Sequence, residues 1–541
     1  MKRFAEFRIL IAPVVIAAAV AGCAVGPDFK EPEAPRVKSY TRAALPAETE
    51  STPGRAGTAQ RFEAGQEIPA QWWTLFHSDA LDRLIRQALE DSPSLAAAQA
   101  TLRQAQENLR AEIGVVSPSV DAKLSAQRER FSFSSIGQPN VPSTVFNLYN
   151  ASVAVSYTFD VGGGWRRELE AMSAQVDYQG FQLQGAHLAL TANIVTTAIR
   201  EASLRAQMQA LQEIETLQQK ELDIMEQQFT LGGARRSDVL AQRAQLVQTR
   251  TTLPPLEKEL ALTRHQLAVL VGKLPSEADL PEFTLESLEL PPQLPVSLPS
   301  ELVRQRPDVR AAEALLHQAS AQVGVATANL YPRITLSGNY GSQANQTGDL
   351  FGSSAGIWSF GASLLQPLFH GGELTARRRA AIAVYDQTAA QYSDTVLRAF
   401  QSVADTLRAL EVDARALKLQ VEAASVARDA LELTSKEFTL GGANYLSLLN
   451  AERQYQQTRI SLVQSQALRY ADTAALFQAL GGGWWNRPPP DDAQSKNRVR
   501  EPAFPRQSEA MRAPARHDSP PAPLEGEGMG MRGASGEGET K

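Results

Sequence analysis

Apolar residues along this chain follow two different periods. At Val403, Leu407, Leu410, Ala414, Leu417 and Val421 they step by four and three, the seam of a helix that packs against other helices. Leu204, Met208 and Leu211, followed by Leu222, Met225 and Phe229, form a similar stripe earlier. Elsewhere the period is two. Val120, Ala122, Leu124 and Ala126 alternate with Asp121, Lys123, Ser125 and Gln127, and Val153, Val155, Tyr157 and Phe159 alternate with small or polar residues. Ile334 and Leu336, then Trp358, Phe360 and Leu364, repeat the pattern. These are strands with one apolar face, grouped in hairpins at 119–160 and 333–369.

The helical stretches are long. No proline interrupts 165–231 or 373–440, and at 1.5 Å per residue each predicts a rod of roughly 100 Å. Returning helices are predicted at 237–271 and 445–480. Pro254-Pro255 should break or kink the first of them, because proline lacks an amide donor. Shorter helices are predicted over Leu81–Glu90, Ser94–Gly114 and, as one piece, Pro299–Ala328. A single rod of this length cannot bury its stripes alone, so the rods need neighbours in the same chain or in other subunits.

The chain is duplicated. Phe229–Ala234 reads FTLGGA and so does Phe438–Ala443, 209 residues on; Gly162-Gly163 returns as Gly371-Gly372 at the same offset. Repeat 1 is assigned to 71–272 and repeat 2 to 300–482, with a proline-rich linker at 273–299. Residues 23–70 are predicted to be extended, and 483–541, poor in large apolar residues, is predicted to be a disordered tail.

Residues 1–22 read as a signal peptide. Lys2, Arg3 and Arg8 precede an apolar run over Ile9–Ala21, shorter than the ~20 residues of a spanning helix. Val20-Ala21-Gly22-Cys23 resembles a bacterial lipobox, and Cys23 is the only cysteine. Its expected fate is lipidation; the alternative is a buried free thiol behind an ordinary secretory signal. Ala24 in place of Asp favours sorting to the outer membrane. Losing 1–22 removes three positive charges and one negative, taking the net charge from −6 to −8. That balance gives no basic face for nucleic acid.

Enzyme chemistry finds no footing. The six histidines are scattered, with no HExxH or paired zinc spacing. The one cysteine is assigned to lipid, and there is no GxSxG elbow. No cofactor or metal is expected. Four amphipathic strands fit an outer-membrane barrel or a soluble one-sided sheet. In a membrane, four strands cannot close a barrel, and open edges are forbidden in lipid, so several chains would share one.

Together these features resemble the TolC family of outer-membrane efflux ducts, in its lipoprotein branch that works with resistance-nodulation-division pumps. The stretches that carry the resemblance are Cys23–Phe29 (CAVGPDF), Trp72-Trp73, Arg306–Glu313 (RPDVRAAE), both Gly-Gly turns and Ala479–Trp484 (ALGGGW). The resemblance implies a mostly α fold with a small membrane β part. Three protomers would build a long periplasmic α-barrel and share one outer-membrane β-barrel of twelve strands. It also implies a periplasmic adaptor and an inner-membrane pump as partners. The tip turns, Gly232-Gly233 and Gly441-Gly442, would meet the adaptor. Relatives often carry an acidic ring after the second turn, whereas here Ser447 and Asn450 are neutral. The candidate gate is therefore Leu448 and Leu449 with Ser447, Asn450, Arg235, Arg236 and Asp238. Two other readings remain at this point: a type I protein-secretion duct and a non-transport periplasmic coiled-coil lipoprotein.

Overall fold

The computed structural model describes residues 24–487. The signal peptide, Cys23 and the segment from 488 lie outside the described residues. Among the described residues there are eight α-helices and six strands: α1 (Asp79–Asp91), α2 (Pro93–Val115), α3 (Gly164–Thr230), α4 (Arg236–Leu270), α5 (Pro299–Gln305), α6 (Pro307–Ala328), α7 (Glu373–Thr439) and α8 (Tyr445–Ala479). The strands are β1 (Arg61–Ala64), β2 (Ser119–Phe131), β3 (Thr144–Phe159), β4 (Gln293–Val296), β5 (Arg333–Ala344) and β6 (Gly356–Leu365).

Helices α3 and α7 each run 67 residues, or about 100 Å. Next to the sheet the helices lie in the order α2, α3, α6, α7; toward the turns the order is α4, α3, α8, α7. Thus α3 is central throughout and α7 is always at an edge.

Of the expected break or kink at Pro254 and Pro255, the break does not occur: helix α4 is continuous through both. Both prolines are exposed, as are Arg250 and Thr251, whose carbonyls lose their helical donors. The predicted helix Pro299–Ala328 is instead two. Pro307 cannot donate and disfavours helical backbone at Arg306, which is extended (ψ 124°) and closes α5. Ser92-Pro93 makes the same break between α1 and α2.

The four long strands form one antiparallel sheet in the order β2-β3-β5-β6. The β3–β5 pairing, with Val155 opposite Gly338 and Ser156 opposite Ser337, joins the two repeats. Register puts Val120, Val155, Gly338 and Phe360 in one row across the sheet, and Ala122, Val153, Tyr340 and Trp358 in the next. Side chains in such rows share a face, so the apolar alternation is coherent through all four strands. That face is open: Leu124 is 80% and Trp358 79% exposed.

A second, two-stranded sheet pairs β1 with β4 in parallel. It ties the N-terminal segment, expected only to be extended, to the linker between the repeats. Around it lies the main apolar core. Trp72 stacks on Phe477 at 5.4 Å, with Phe76, Leu81, Ile85, Phe283 and Leu294 buried beside them. Fully buried Arg469 donates to the Leu410 carbonyl at 3.0 Å and to Thr49 Oγ1 at 3.2 Å. Residues 483–487, expected to belong to the tail, pack against this core. Trp484 Nε1 donates to the Gln305 carbonyl and Asn486 Nδ2 to the Ile68 carbonyl. This collar gathers Trp72, Arg306 and the ALGGGW stretch: Arg306 donates to the Ala479 carbonyl at 2.8 Å.

Candidate functional site

The tips are built alike. Gly232 and Gly441 sit at φ +81° and +80°, with open space where a side chain would point. Glycine is needed there for the left-handed backbone, not for room. The amides of Gly233 and Gly442 donate to the carbonyls of Gln228 and Glu437, both at 2.8 Å, which closes each helix end.

Just beyond the turns the copies differ. After the first, exposed Arg235 pairs with Asp238 at 3.5 Å, and Ser237 Oγ donates to Asp238 at 3.2 Å. Arg236 is exposed. After the second, Asn444 caps α8 by accepting from the Ser447 amide at 2.9 Å. Leu448 and Leu449 are buried within the protomer, while Ser447 and Asn450 face solvent. The two leucines therefore pack the hairpin itself.

A layer deeper lies a feature the sequence reading missed. Glu452 of α8 is 4% exposed. Gln218 of α3 and Gln242 of α4 donate to it at 3.5 and 3.4 Å, and Gln242 also reaches Glu221 at 3.3 Å. Tyr445 OH donates to Gln242 Oε1 at 2.9 Å. Burial, then the neighbouring Glu221 carboxyl, push Glu452 up to about 9. The only local signal was a glutamate in an otherwise ordinary helix repeat, and a spacing pattern cannot say that three helices converge on it.

At the opposite end, the strand-to-helix joints also differ. Val25 N donates to the Gly162 carbonyl at 3.0 Å. Arg167, almost fully buried, donates to the Val25 carbonyl, to Asp28 at 2.7 Å and to Glu170 at 2.7 Å. Phe29 stacks on His317 at 4.3 Å. The N-terminal segment is thereby strapped beside the base of the sheet. A cavity of about 480 Å³ lies beside this joint, lined by Thr158, Trp165, Glu168 and Arg333 among others. Among the described residues no helix is long and apolar enough to cross a membrane, and no three His, Cys, Asp or Glu side chains gather to hold a metal.

The family model described as "Outer membrane efflux protein" matches residues 84–273 and 298–482, one segment for each repeat. The chain belongs to the outer membrane efflux protein family. The Pseudomonas putida pyoverdine export outer membrane protein OpmQ is 31% identical over 430 residues, covering 77% of this chain and 89% of that protein. The Escherichia coli cation efflux system protein CusC is 25% identical, covering 87% of this chain and 98% of its own length. Among solved structures, the outer-membrane channel OprN superposes with a TM-score of 0.77 at 28% identity, over 85% of this chain and all of that one. VceC from Vibrio cholerae gives 0.71 at 27% identity. This efflux-family chain is therefore an outer-membrane channel protein. Its rods are the staves of an α-barrel and its sheet is a segment of a membrane β-barrel. The membership also displaces the spacer-lipoprotein reading, which left the four strands without a role.

Proposed function

We propose that this chain is the lipid-anchored exit duct of a tripartite efflux pump, working as a homotrimer. The observation that carries the trimer is the sheet itself. Among the described residues, strands β2 and β6 have no partner on their outer sides, and lipid does not tolerate open edges. Three copies bring twelve strands, enough to close around water. The helical edges make the same demand. Leu397, Leu419, Val426 and Leu433 stay exposed along α7, and Leu240, Val247 and Leu262 along α4.

The anchor at Cys23 is supported by where the next residues lie. Ala24 rests against Gly163 at the strand-to-helix joint: a side chain added there would come within 2.4 Å of the Ala24 backbone. An acyl group on the preceding residue would thus start at the foot of the sheet, where the membrane surface must be. The tips at Gly232-Gly233 and Gly441-Gly442 lie at the far end of the rods, suited to a periplasmic adaptor and, through it, a resistance-nodulation-division pump. In this reading the duct makes and breaks no bond, and the pump supplies the energy.

The relatives are named for pyoverdine, toluene and cation export, cargoes with no shared chemistry, so cargo choice is assigned to the pump. Relatives named as efflux components favour this over protein secretion. Planar-bilayer recording of the purified trimer tests the duct, and native mass spectrometry tests the stoichiometry. A protein that stays monomeric in detergent and never conducts would overturn the proposal. For the gate, packing of Leu448 and Leu449 with neutral Ser447 and Asn450 predicts weak block by multivalent cations from the tip side. Strong block would restore an anionic ring, with Asp238 as its first candidate.

A further inference from the structure

About 15 Å above the turns, at 1.5 Å per residue, the two hairpins of one protomer meet through carboxyl groups. Glu221 and Glu452 accept from one shared donor. Gln242 bridges them, at 3.3 Å from one and 3.4 Å from the other. Gln218, itself almost fully buried, gives its amide nitrogen to Glu452 and leaves Oε1 without a partner among the described residues. Two carboxylates cannot share such a place while both are charged; a retained proton turns repulsion into a hydrogen bond. We propose that the Glu221–Glu452 pair is a proton-binding latch that joins the first hairpin to the second and holds the tip of the duct closed.

The layer is specific to this seam. The repeat-2 counterparts of Gln218, Glu221 and Gln242, 209 residues on, are Ala427, Ala430 and Ala451, so the polar cluster occurs once per protomer. It is also only partly satisfied, and a buried polar cluster in that state favours separation and hydration once it is charged. Among the described residues, no side-chain cation pairs with Glu221 or Glu452, and Arg453 is the cation beside Tyr445. Arg453 of α8 spends its Nε on Gln245 at 2.9 Å. Asp238 of α4 and Tyr445 of α8 are acidic or neutral, and no charged group of α7 acts on Glu452. Tyr445 itself is pushed well above the usual phenol range by burial and by Glu452, so it stays a neutral donor to Gln242.

The direction follows from the raised carboxyl. The closed tip binds a proton that a separated, hydrated pair would release to water. The latch is fully present below the ordinary carboxyl value of 4.5, weakens as pH climbs, and is lost as pH passes about 9. Release of one proton per protomer lets opening rise by up to about tenfold per pH unit within that window.

The latch rests on the reading that the tip closes the duct. Bilayer recording of the full-length trimer at pH 5, 7 and 9 tests it, alongside Glu452→Gln and Glu221→Gln. Wild type should open more often by at least about tenfold from pH 5 to pH 9; Glu452→Gln should lose that slope because it has no proton to release, and Glu221→Gln should weaken it without abolishing it, since burial still raises Glu452. A wild type that conducts with no pH slope, or a Glu452→Gln channel that keeps it, overturns the latch and leaves the duct standing. Absence of conduction at every pH counts against the duct instead. Hydrogen exchange over Tyr445–Glu452, corrected for intrinsic rates, then decides the latch: exchange that rises with pH in wild type alone supports it, and equal behaviour in Glu452→Gln removes it. Glu221, which is only half-buried, is the variant least able to fail by misfolding.

Discussion

Helices α3 and α7 are the same rod in two positions. Both are 67 residues long, start after a Gly-Gly joint and end at FTLGGA, yet 22 side chains are buried on α3 and 9 on α7. The difference is placement, since α3 has neighbours on both sides and α7 on only one. Ala210 and Leu419 occupy equivalent repeat positions and show it plainly, at 1% and 59% exposed. Leu419 lies two residues beyond Leu417 of the buried seam, about 200° round the helix. A duplicated element has thus been divided into a core rod and a contact rod. The apolar residues kept on the contact rod find their use only in another copy.

That contrast can be broken at its strongest point. Ala210→Asp places an unpaired charge inside the protomer and should cost about 4 kcal/mol or more, seen as loss of folded protein in thermal or denaturant unfolding. Leu419→Asp should leave the isolated protomer's helix content intact and shift the native mass from trimer to monomer. If Leu419→Asp unfolds the protomer, or leaves the trimer unchanged, the edge assignment of α7 is wrong.

The paired joints sharpen it further. Gly163 and Gly372 both sit at positive φ, but Gly163 is pressed by Ala24 while Gly372 faces nearly open space. Alanine at Gly372 should cost about 1 kcal/mol for the backbone alone. At Gly163 it must also displace the N-terminal strap, and it should expose the 24–29 segment to proteolysis; equal proteolysis in both variants would show that the strap is not held there. The smallest effect is expected at the tip. Arg235→Ala removes an exposed ion pair, and surface pairs contribute little, so the unfolding midpoint should stay within error. A clear loss would mean that Arg235 is held by a neighbouring protomer.

Much of the architecture was legible along the chain. Period-four-three and period-two stripes placed the rods and the strands, because both patterns follow from where successive side chains point. Two local readings needed the structure to decide them. Pro254-Pro255 was read without knowing that both face solvent, and Arg306-Pro307 was read through although it breaks the helix. The candidate site was legible only in part. The glycine turns stand out by identity, whereas which of Ser447, Leu448, Leu449 and Asn450 are buried and which face solvent was decided by the packing of the hairpin. The stretches that carried the family resemblance at Trp72, Arg306 and ALGGGW proved to converge on the collar rather than on the tip.

The sequence by itself determined the duplication, the length of the rods, the amphipathic strands and the left-handed glycine turns, since each rests on backbone preference or on spacing within one element. Only the tertiary structure decided that four residues near position 61 pair with four near position 293, that α3 is central and α7 is not, and that Gln242 joins Glu221 to Glu452. Those facts depend on which surfaces meet across more than 200 residues of chain. No periodicity encodes such meetings, because the energy that selects them is the burial of one element against another.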